Sequence, residues 1–523
     1  MVKFEVPTAI KNHIGVCMKC APCKQEENEM GLGSAIREEA SWGKTANGAD
    51  AKVATGSALL DMFGRAGAMR GADEIDKQIM ISQAFKENAD FAVKLLFYTR
   101  DVREGYGERD TFHTMLRWLA FESKESVEKN LWAILEFGRA SDLYALVGTP
   151  AEDAMWEFMR NQFELDYKNM QAGKSISLLA KWMASPNSRT AKKKQLGKLT
   201  AKALGYSYKN MRELKQKISA MRKYLDLPEV KMAAGKWGEI EYSTCASKAL
   251  LYHKNAFARH DMQRWQEYLE SVNKGEEKMN TGTLTPCDIV AKYNDLANVD
   301  KALETMWDNL EDVNDGNVLV MADTSGSMFH NHFGGLRPIF VSVAMAIYFA
   351  KHNKGDLRNT FMTFESDPHF IEIKEASLFD TIHAVKKAEW GNSTNLVKAF
   401  DKLLEVCVKG GVSQEDMPKA ILVVSDMQIN SASSACDGDG RMTFFDRMSK
   451  RYEKAGYKMP QLVFWNVNAK RATFHASKDD AGASLVSGFS VNVFKQVIEC
   501  IGSTPYELMM SILESERYKD IVA

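Results

Sequence analysis

From about Ala54 to Val313, apolar residues recur at intervals of three and four. That is the period of helices that bury one face. "GSALLDMFGRAG", "FAVKLLFYTRDVREG", "FHTMLRWLAFESKESVEKNLWAILEFG" and "AEDAMWEFMRNQFELDYKNMQ" all carry it, and "EGYGERD", "VGTPAED" and "ASPNSRT" supply turn chemistry between helices. There is no clean sequence repeat. Successive helix pairs of similar length nevertheless predict a stacked, HEAT-like helical array.

Near residue 315 the pattern changes. "GNVLVMADTS", "NTFMTFES", "KAILVVSDMQ" and "QLVFWNVN" read as short buried strands. "RPIFVSVAMAIYFAKHN", "TNLVKAFDKLLEVCVKGG" and "FFDRMSKRYEKAGY" read as the helices between them. Strands alternating with crossover helices predict a doubly wound, Rossmann-like and mostly parallel sheet. "TPYELMMSILESERYKDI" closes the chain as a helix. The predicted fold class is therefore α + α/β. Residues 1–50 form a polar, glycine-containing extension, read as irregular or loosely helical. Residues 51–310 form the helical array, and 311–523 the α/β domain.

Composition narrows the class. The chain has 523 residues, 45% hydrophobic and 26% charged, with net charge -1. Any affinity for anions must come from local patches. Eight cysteines are too sparse for a disulfide scaffold, and a cytoplasmic setting is expected. No apolar run approaches a membrane span, so no membrane partner is expected. The 28 methionines are scattered and read as core filler.

The stretch "VLVMADTSGSM" places Asp323, Ser325 and Ser327 just past an apolar strand. In an open α/β sheet ligands bind at the carboxyl ends of strands. An aspartic-protease corner would need an all-β setting and a second Asp-Thr/Ser-Gly. A serine nucleophile would need a Gly-x-Ser-x-Gly elbow. Neither is present. Helix capping by the serines and Thr394 is the structural alternative. A metal site would need further oxygen ligands from other rim loops. Thr394 in "WGNSTNL" and Asp426 in "VVSDMQ" stand at a helix start and a strand end.

Asp323, Ser325, Ser327, Thr394 and Asp426, in that order, resemble the metal-ion-dependent adhesion site of von Willebrand factor A domains. The resemblance implies Mg²⁺ or Mn²⁺, with Asp426 acting mainly through water. Hydroxyls with few carboxylates leave a hard cation incompletely neutralised, so an exchangeable water can give way to an acidic group of a partner protein. Such a site grips. No general base or nucleophile is recognisable beside it, and no enzyme activity is expected.

"KLLFYTRDVREGYGERD", "SLLAKWMASPNS", "RKYLDLPEVKMAAGKW", "GTLTPCDIV", "GYKMPQLVFWNVN", "LVSGFSVNVFKQ" and "TPYELMMSILESERYK" widen the likeness. Over roughly residues 55–523 the chain resembles a domain-of-unknown-function family of bacteria, phages and plants that is similar to the Ro ribonucleoprotein (TROVE) proteins. That resemblance implies a helical ring joined to a von Willebrand A domain, binding small structured RNAs and single-stranded RNA ends.

Residues 171–225 hold 14 Lys and Arg against one acidic residue. Phosphate neutralisation wants such a stripe, and interleaved aromatic rings can stack unpaired bases. The candidates are Lys181, Arg189, Lys192, Lys193, Lys194, Lys198, Lys202, Tyr206, Tyr208, Lys209 and Arg212. A solvated helical face with its aromatics turned inward is the plainer alternative.

His13, Cys17, Cys20 and Cys23 form His-x3-Cys-x2-Cys-x2-Cys. Three thiolates and an imidazole can hold Zn²⁺. The Cys-x2-Cys-x2-Cys run also suits an Fe–S cluster that takes a fourth cysteine from elsewhere, and exposed free thiols are the plainer alternative. The functional expectation is a non-enzymatic RNA-binding scaffold or quality-control protein with a cation-dependent site for a partner. The alternative is a metal-dependent protein-interaction module of a bacterial or phage assembly, without RNA. The sequence does not name the RNA, the protein partner or the oligomeric state.

Overall fold

The computed structural model describes residues 39–188, 190–293, 296–312, 317–329, 337–364, 367–374, 376–387, 395–429, 442–469 and 471–523. The cysteine motif at 13–23 lies outside them. Residues 41–523 form one compact unit.

That unit opens with an antiparallel hairpin of β1 (Trp42–Lys44) and β2 (Asp50–Lys52). This corrects the irregular or loosely helical reading for residues 42–50, and residues 1–38 lie outside the described residues. Thr45 and Ala49 close the loop through Thr45 N donating to Ala49 O (2.9 Å) and Ala49 N donating to Thr45 Oγ1 (3.0 Å).

The helical stretch follows, as the three-and-four spacing predicts. Its principal helices are α1 (Ala58–Ala66), α2 (Glu74–Glu87), α3 (Ala89–Arg100), α4 (Glu152–Gln171), α5 (Ala191–Ala203), α6 (Met211–Tyr224) and α7 (Pro286–Tyr293). Side-chain caps set the starts of the early ones: Ser57 accepts from Leu60 N, and Asn88 from Phe91 N.

The C-terminal region is built on a six-stranded sheet: β3 (Val318–Ala322), β4 (Thr360–Thr363), β5 (Phe370–Glu372), β6 (Ala420–Ser425), β7 (Gln461–Asn466) and β8 (Ala483–Ser487). The spatial order is β5-β4-β3-β6-β7-β8. All neighbours run parallel except the edge pair β4–β5. β3, β6, β7 and β8 are buried along their whole lengths, as parallel strands covered on both faces must be.

The helices of this region include α8 (Pro338–His352), α9 (Leu396–Gly410), α10 (Phe444–Lys454) and α11 (Pro505–Leu513). In α8, 13 of 15 residues are buried. A helix with no polar face must be covered all round, and α8 packs on β3, β4 and β6 and against α7.

The helical stretch and the sheet share a core. α1 and α11 both lie on β8. Ser487 Oγ accepts from Gly67 N at 3.0 Å and donates to Phe63 O at 3.2 Å. A Cβ at Gly67 would stand 2.8 Å from the Ser487 carbonyl, so this approach requires glycine. At the far end of the chain, Asp101 accepts from Arg517 Nε (2.5 Å) and Tyr518 Oη (2.8 Å).

The connections place the site. From β3 the chain passes through α8 to β4 on one side of β3, and later returns to β6 on the other side. The order reverses between β3 and β6, so the loops leaving them diverge and open a crevice. Among the described residues, no helix is long and apolar enough to cross a membrane.

Candidate functional site

β3 and β6 run parallel in the register Val318↔Ala420 to Ala322↔Val424, so their ends set Asp323 level with Ser425 and bring Asp426 to the same rim one residue further on. One more ladder bond, Asp323 N to Val424 O at 3.0 Å, fixes the first carboxylate against β6. Asp323 is 1% exposed, Asp426 4% and Ser325 5%. Ser325 N donates to Asp323 Oδ1 at 2.9 Å, and Ser425 Oγ to Asp323 Oδ2 at 2.6 Å. Ser325 Oγ and Ser327 Oγ lie 3.1 Å apart, and Gln428 N donates to Asp426 Oδ1 at 3.2 Å. The structure thus brings together four of the five residues picked from the sequence. Thr394 lies outside the described residues. The helix it was expected to start, α9, has Asn395 as its N-cap.

Burial, and after it the charge of Asp426, push the Asp323 carboxyl up to about 6. Hydrogen bonds from Ser425 and Ser325 oppose the rise. Two buried carboxylates at one crevice repel each other unless a proton or a cation intervenes. Every donor atom in the cluster is oxygen, the set that hard divalent cations take. Among the described residues no group of three His, Cys, Asp or Glu side chains converges as a metal site. A cation here would therefore complete its shell with hydroxyls and water. The donor chemistry fits Mg²⁺ or Mn²⁺ and does not fit a soft metal.

The second candidate is α5. Gly197, Thr200 and Ala201 form its buried stripe. A Cβ at Gly197 would lie 2.3 Å from the Ser185 carbonyl carbon, so α5 rests directly on the Ser185–Pro186 backbone. Thr200 Oγ1 is 2.9 Å from Tyr144 Oη. With that stripe inward, Lys192, Lys193, Lys194, Lys198 and Lys202 are all exposed. None of the five forms an ion pair among the described residues, whereas Lys181 is held 3.3 Å from Glu229 and Lys217 3.2 Å from Glu213. Lys209 and Arg212 are exposed just beyond, before and in α6.

The aromatic part of the reading changes. Tyr206 is only 9% exposed and belongs to the apolar core, with Lys217 Nζ 5.6 Å from its ring. It offers no free face to a base. Arg189 and the Tyr208 side chain lie outside the described residues.

Two family descriptions match the chain. Residues 45–141 and 157–317 match Domain of unknown function (DUF2828), and residues 317–518 match Domain of unknown function (DUF7788). The two matches meet at the entry to β3. The uncharacterized protein L728 of Acanthamoeba polyphaga mimivirus is 26% identical over 511 residues, spanning 90% of this chain and 87% of that one. A crystal structure of the Deinococcus radiodurans RO (RSR) protein overlays with a TM-score of 0.43 and 13% identity, covering 83% of this chain and 92% of that one.

Two residues of the rim escaped the sequence reading. Ser425 holds Asp323, and Gln428 holds Asp426. Both flank Asp426 in "VVSDMQI", so nearness to a picked ligand was the available signal. Of the cysteines outside the N-terminal motif, Cys245, Cys287 and Cys407 are buried and unbridged and Cys500 is half-buried and unbridged. Burial pushes the Cys245 thiol up to about 11 and that of Cys287 to about 12, which keeps both unreactive. Cys436 lies outside the described residues.

Proposed function

We propose that this is a non-enzymatic RNA-binding protein in which a helical array of the Ro type carries the RNA and a von Willebrand A-like domain carries a cation site for a partner. The observation that carries the first half is the row of five exposed lysines on α5 without acidic partners among the described residues. A protein of net charge -1 that leaves such a row unneutralised presents a local phosphate-binding face. The motif resemblance over residues 55–523 points the same way. Lysines hold phosphate as point charges and read little sequence, so the binding is general for RNA shape and charge. With Tyr206 turned inward, stacking contributes less than charge.

The rim supports the second half. Asp323, Ser325, Ser327 and Asp426, joined by Thr394, would hold Mg²⁺ or Mn²⁺. The cation would supply an open coordination position to an acidic group of a partner protein. The serines orient the Asp323 carboxylate, and Gln428 orients that of Asp426. At the N-terminus, His13, Cys17, Cys20 and Cys23 would hold zinc or iron.

Absorbance at 260 and 280 nm of the purified protein, before and after RNase, tests the RNA reading. A raised ratio that collapses on RNase treatment is expected. A protein-like ratio, together with no RNA binding at low salt, favours the interaction-module alternative.

A further inference from the structure

We propose that the tip of the β1–β2 hairpin is a positioning clamp for Asp426, setting the cation affinity of the rim from outside the ligand set. The cation half of this rests on the rim reading above, while the clamp itself is visible without it.

The loop leaving β6 takes an unusual path. Met427, directly after Asp426, has φ of 60°, the left-handed region that side chains other than glycine rarely occupy. Such a conformation persists only where its surroundings hold it. Three elements do so. From β6 itself, Ser425 Oγ accepts from Met427 N at 3.1 Å. From residues 473–475, His475 Nε2 donates to Met427 O at 3.1 Å, and Thr473 Oγ1 accepts from Gln428 Nε2 at 3.2 Å. The third element is the hairpin.

Thr45 Oγ1 donates to Ile429 O at 2.5 Å, Ala46 N donates to Gln428 Oε1 at 2.7 Å, and Asn47 Nδ2 donates to Gln428 O. Gln428 is thereby gripped on both its side chain and its carbonyl. Its own backbone N–H is the group that holds Asp426 Oδ1, and its Nε2 donates to Asp426 O at 3.3 Å. The path from hairpin to carboxylate is thus two hydrogen bonds long. The hairpin is anchored independently of the rim, because Lys52 and Phe474 exchange backbone bonds of 3.0 and 2.8 Å. Hairpin and 473–475 segment together make one frame around the Asp426 loop.

Groups that orient a metal's ligands govern affinity nearly as strongly as the ligands. Asn47 and Ala46 are exposed, so a change there reaches Asp426 through Gln428 and not through the core. A scaffolding role alone would alter stability and leave cation affinity untouched. The clamp does the reverse.

The test uses the full chain with Asn47→Ala, and Gln428→Leu as a second variant that cuts the same path at its middle. Hydrogen exchange at the 425–429 amides is measured in metal-free protein, and Mn²⁺ binding by calorimetry. Faster exchange confined to that loop, Mn²⁺ affinity about ten-fold weaker and an unchanged melting temperature for Asn47→Ala are expected. Unchanged exchange and unchanged affinity in both variants overturn the proposal. A wild type that binds neither Mn²⁺ nor Mg²⁺ removes the cation reading alone. Loop exchange then decides, since faster exchange in the variants upholds the clamp and unchanged exchange overturns it.

Discussion

The sheet rim and the α5 surface meet charge in opposite ways. At the rim, two carboxylates of like sign are buried at 1% and 4% exposure and fixed by serine hydroxyls, backbone amides and a left-handed loop. On α5, five like charges stand in solvent with no ion-pair partner among the described residues. On the proposed reading the rim would discriminate, because its geometry is set before any ligand arrives. The lysine face would accumulate phosphate contacts, because each charge adds a little and none is indispensable. A site built on buried charge is therefore one that a single substitution would destroy, and one built on exposed charge is one that only several would remove.

Asp323→Ala breaks the comparison at its steepest point. Mg²⁺ and Mn²⁺ affinity should fall by more than about 100-fold, with the fold retained and RNA affinity unchanged. Calorimetry showing equal Mg²⁺ binding by wild type and variant contradicts the rim assignment.

Acidity should separate the regions next. His475 is fully buried, and burial lowers its pKa to about 4 from an ordinary 6.5, against the bond to Met427 O. Its folded pKa is depressed, so the folded state resists the proton that the unfolded chain takes up. Its contribution is intact above about pH 6.5 and is lost as pH falls through 4, by about 3 kcal/mol. Asp323 opposes this: its folded value near 6 lies above the ordinary range, so acidification from 6 to 4 relieves it. Urea unfolding of wild type and His475→Gln at pH 7 and pH 4 isolates the histidine. The wild type should lose stability relative to the variant on acidification, and a constant difference removes the effect.

Gly197→Ala drives a methyl group into the Ser185–Pro186 backbone and should cost about 1–3 kcal/mol. Thermal melts measure it. RNA affinity should weaken in step, since the lysine row moves with the helix. The smallest effect belongs to one lysine. Lys198→Ala should lower RNA affinity less than ten-fold and flatten the salt slope by about 1. Loss of binding on that single change would mean that α5 holds a discriminating site like the rim.

Much of the sheet was legible. β3 is an apolar run ending at Asp323, β6 is an apolar run followed by Ser425 and Asp426, and α8 is an apolar helix between glycine and polar flanks, so their order placed Asp323 and Asp426 on one rim. The hairpin was not. Its strands are three residues each, too short to show alternation, though Asn47-Gly48, with Gly48 at φ 87°, is the turn pair that marks hairpins. β5 is a three-residue edge strand and hides for the same reason. β8, "ASLVS", carries serines where a buried strand is expected to be apolar, because Ser487 bonds to α1 and Ser484 to Gln461. Those partners are hundreds of residues or a strand away. The inward turn of Tyr206 was equally out of reach, since an aromatic ring in a basic run looks alike whether it faces solvent or core. Packing beneath α5 and α6 decides it.

The central claim is that the α5 lysines bind RNA through phosphate. The most direct test is filter binding of a structured RNA with a single-stranded end across a salt series, comparing wild type with Lys192, Lys193, Lys194 and Lys198 all changed to Glu. Wild-type affinity should fall with salt at a log–log slope of about -0.7 to -0.9 per phosphate neutralised, and the variant should bind more weakly with a flatter slope. Superimposable curves, or no wild-type binding at low salt, would contradict the account.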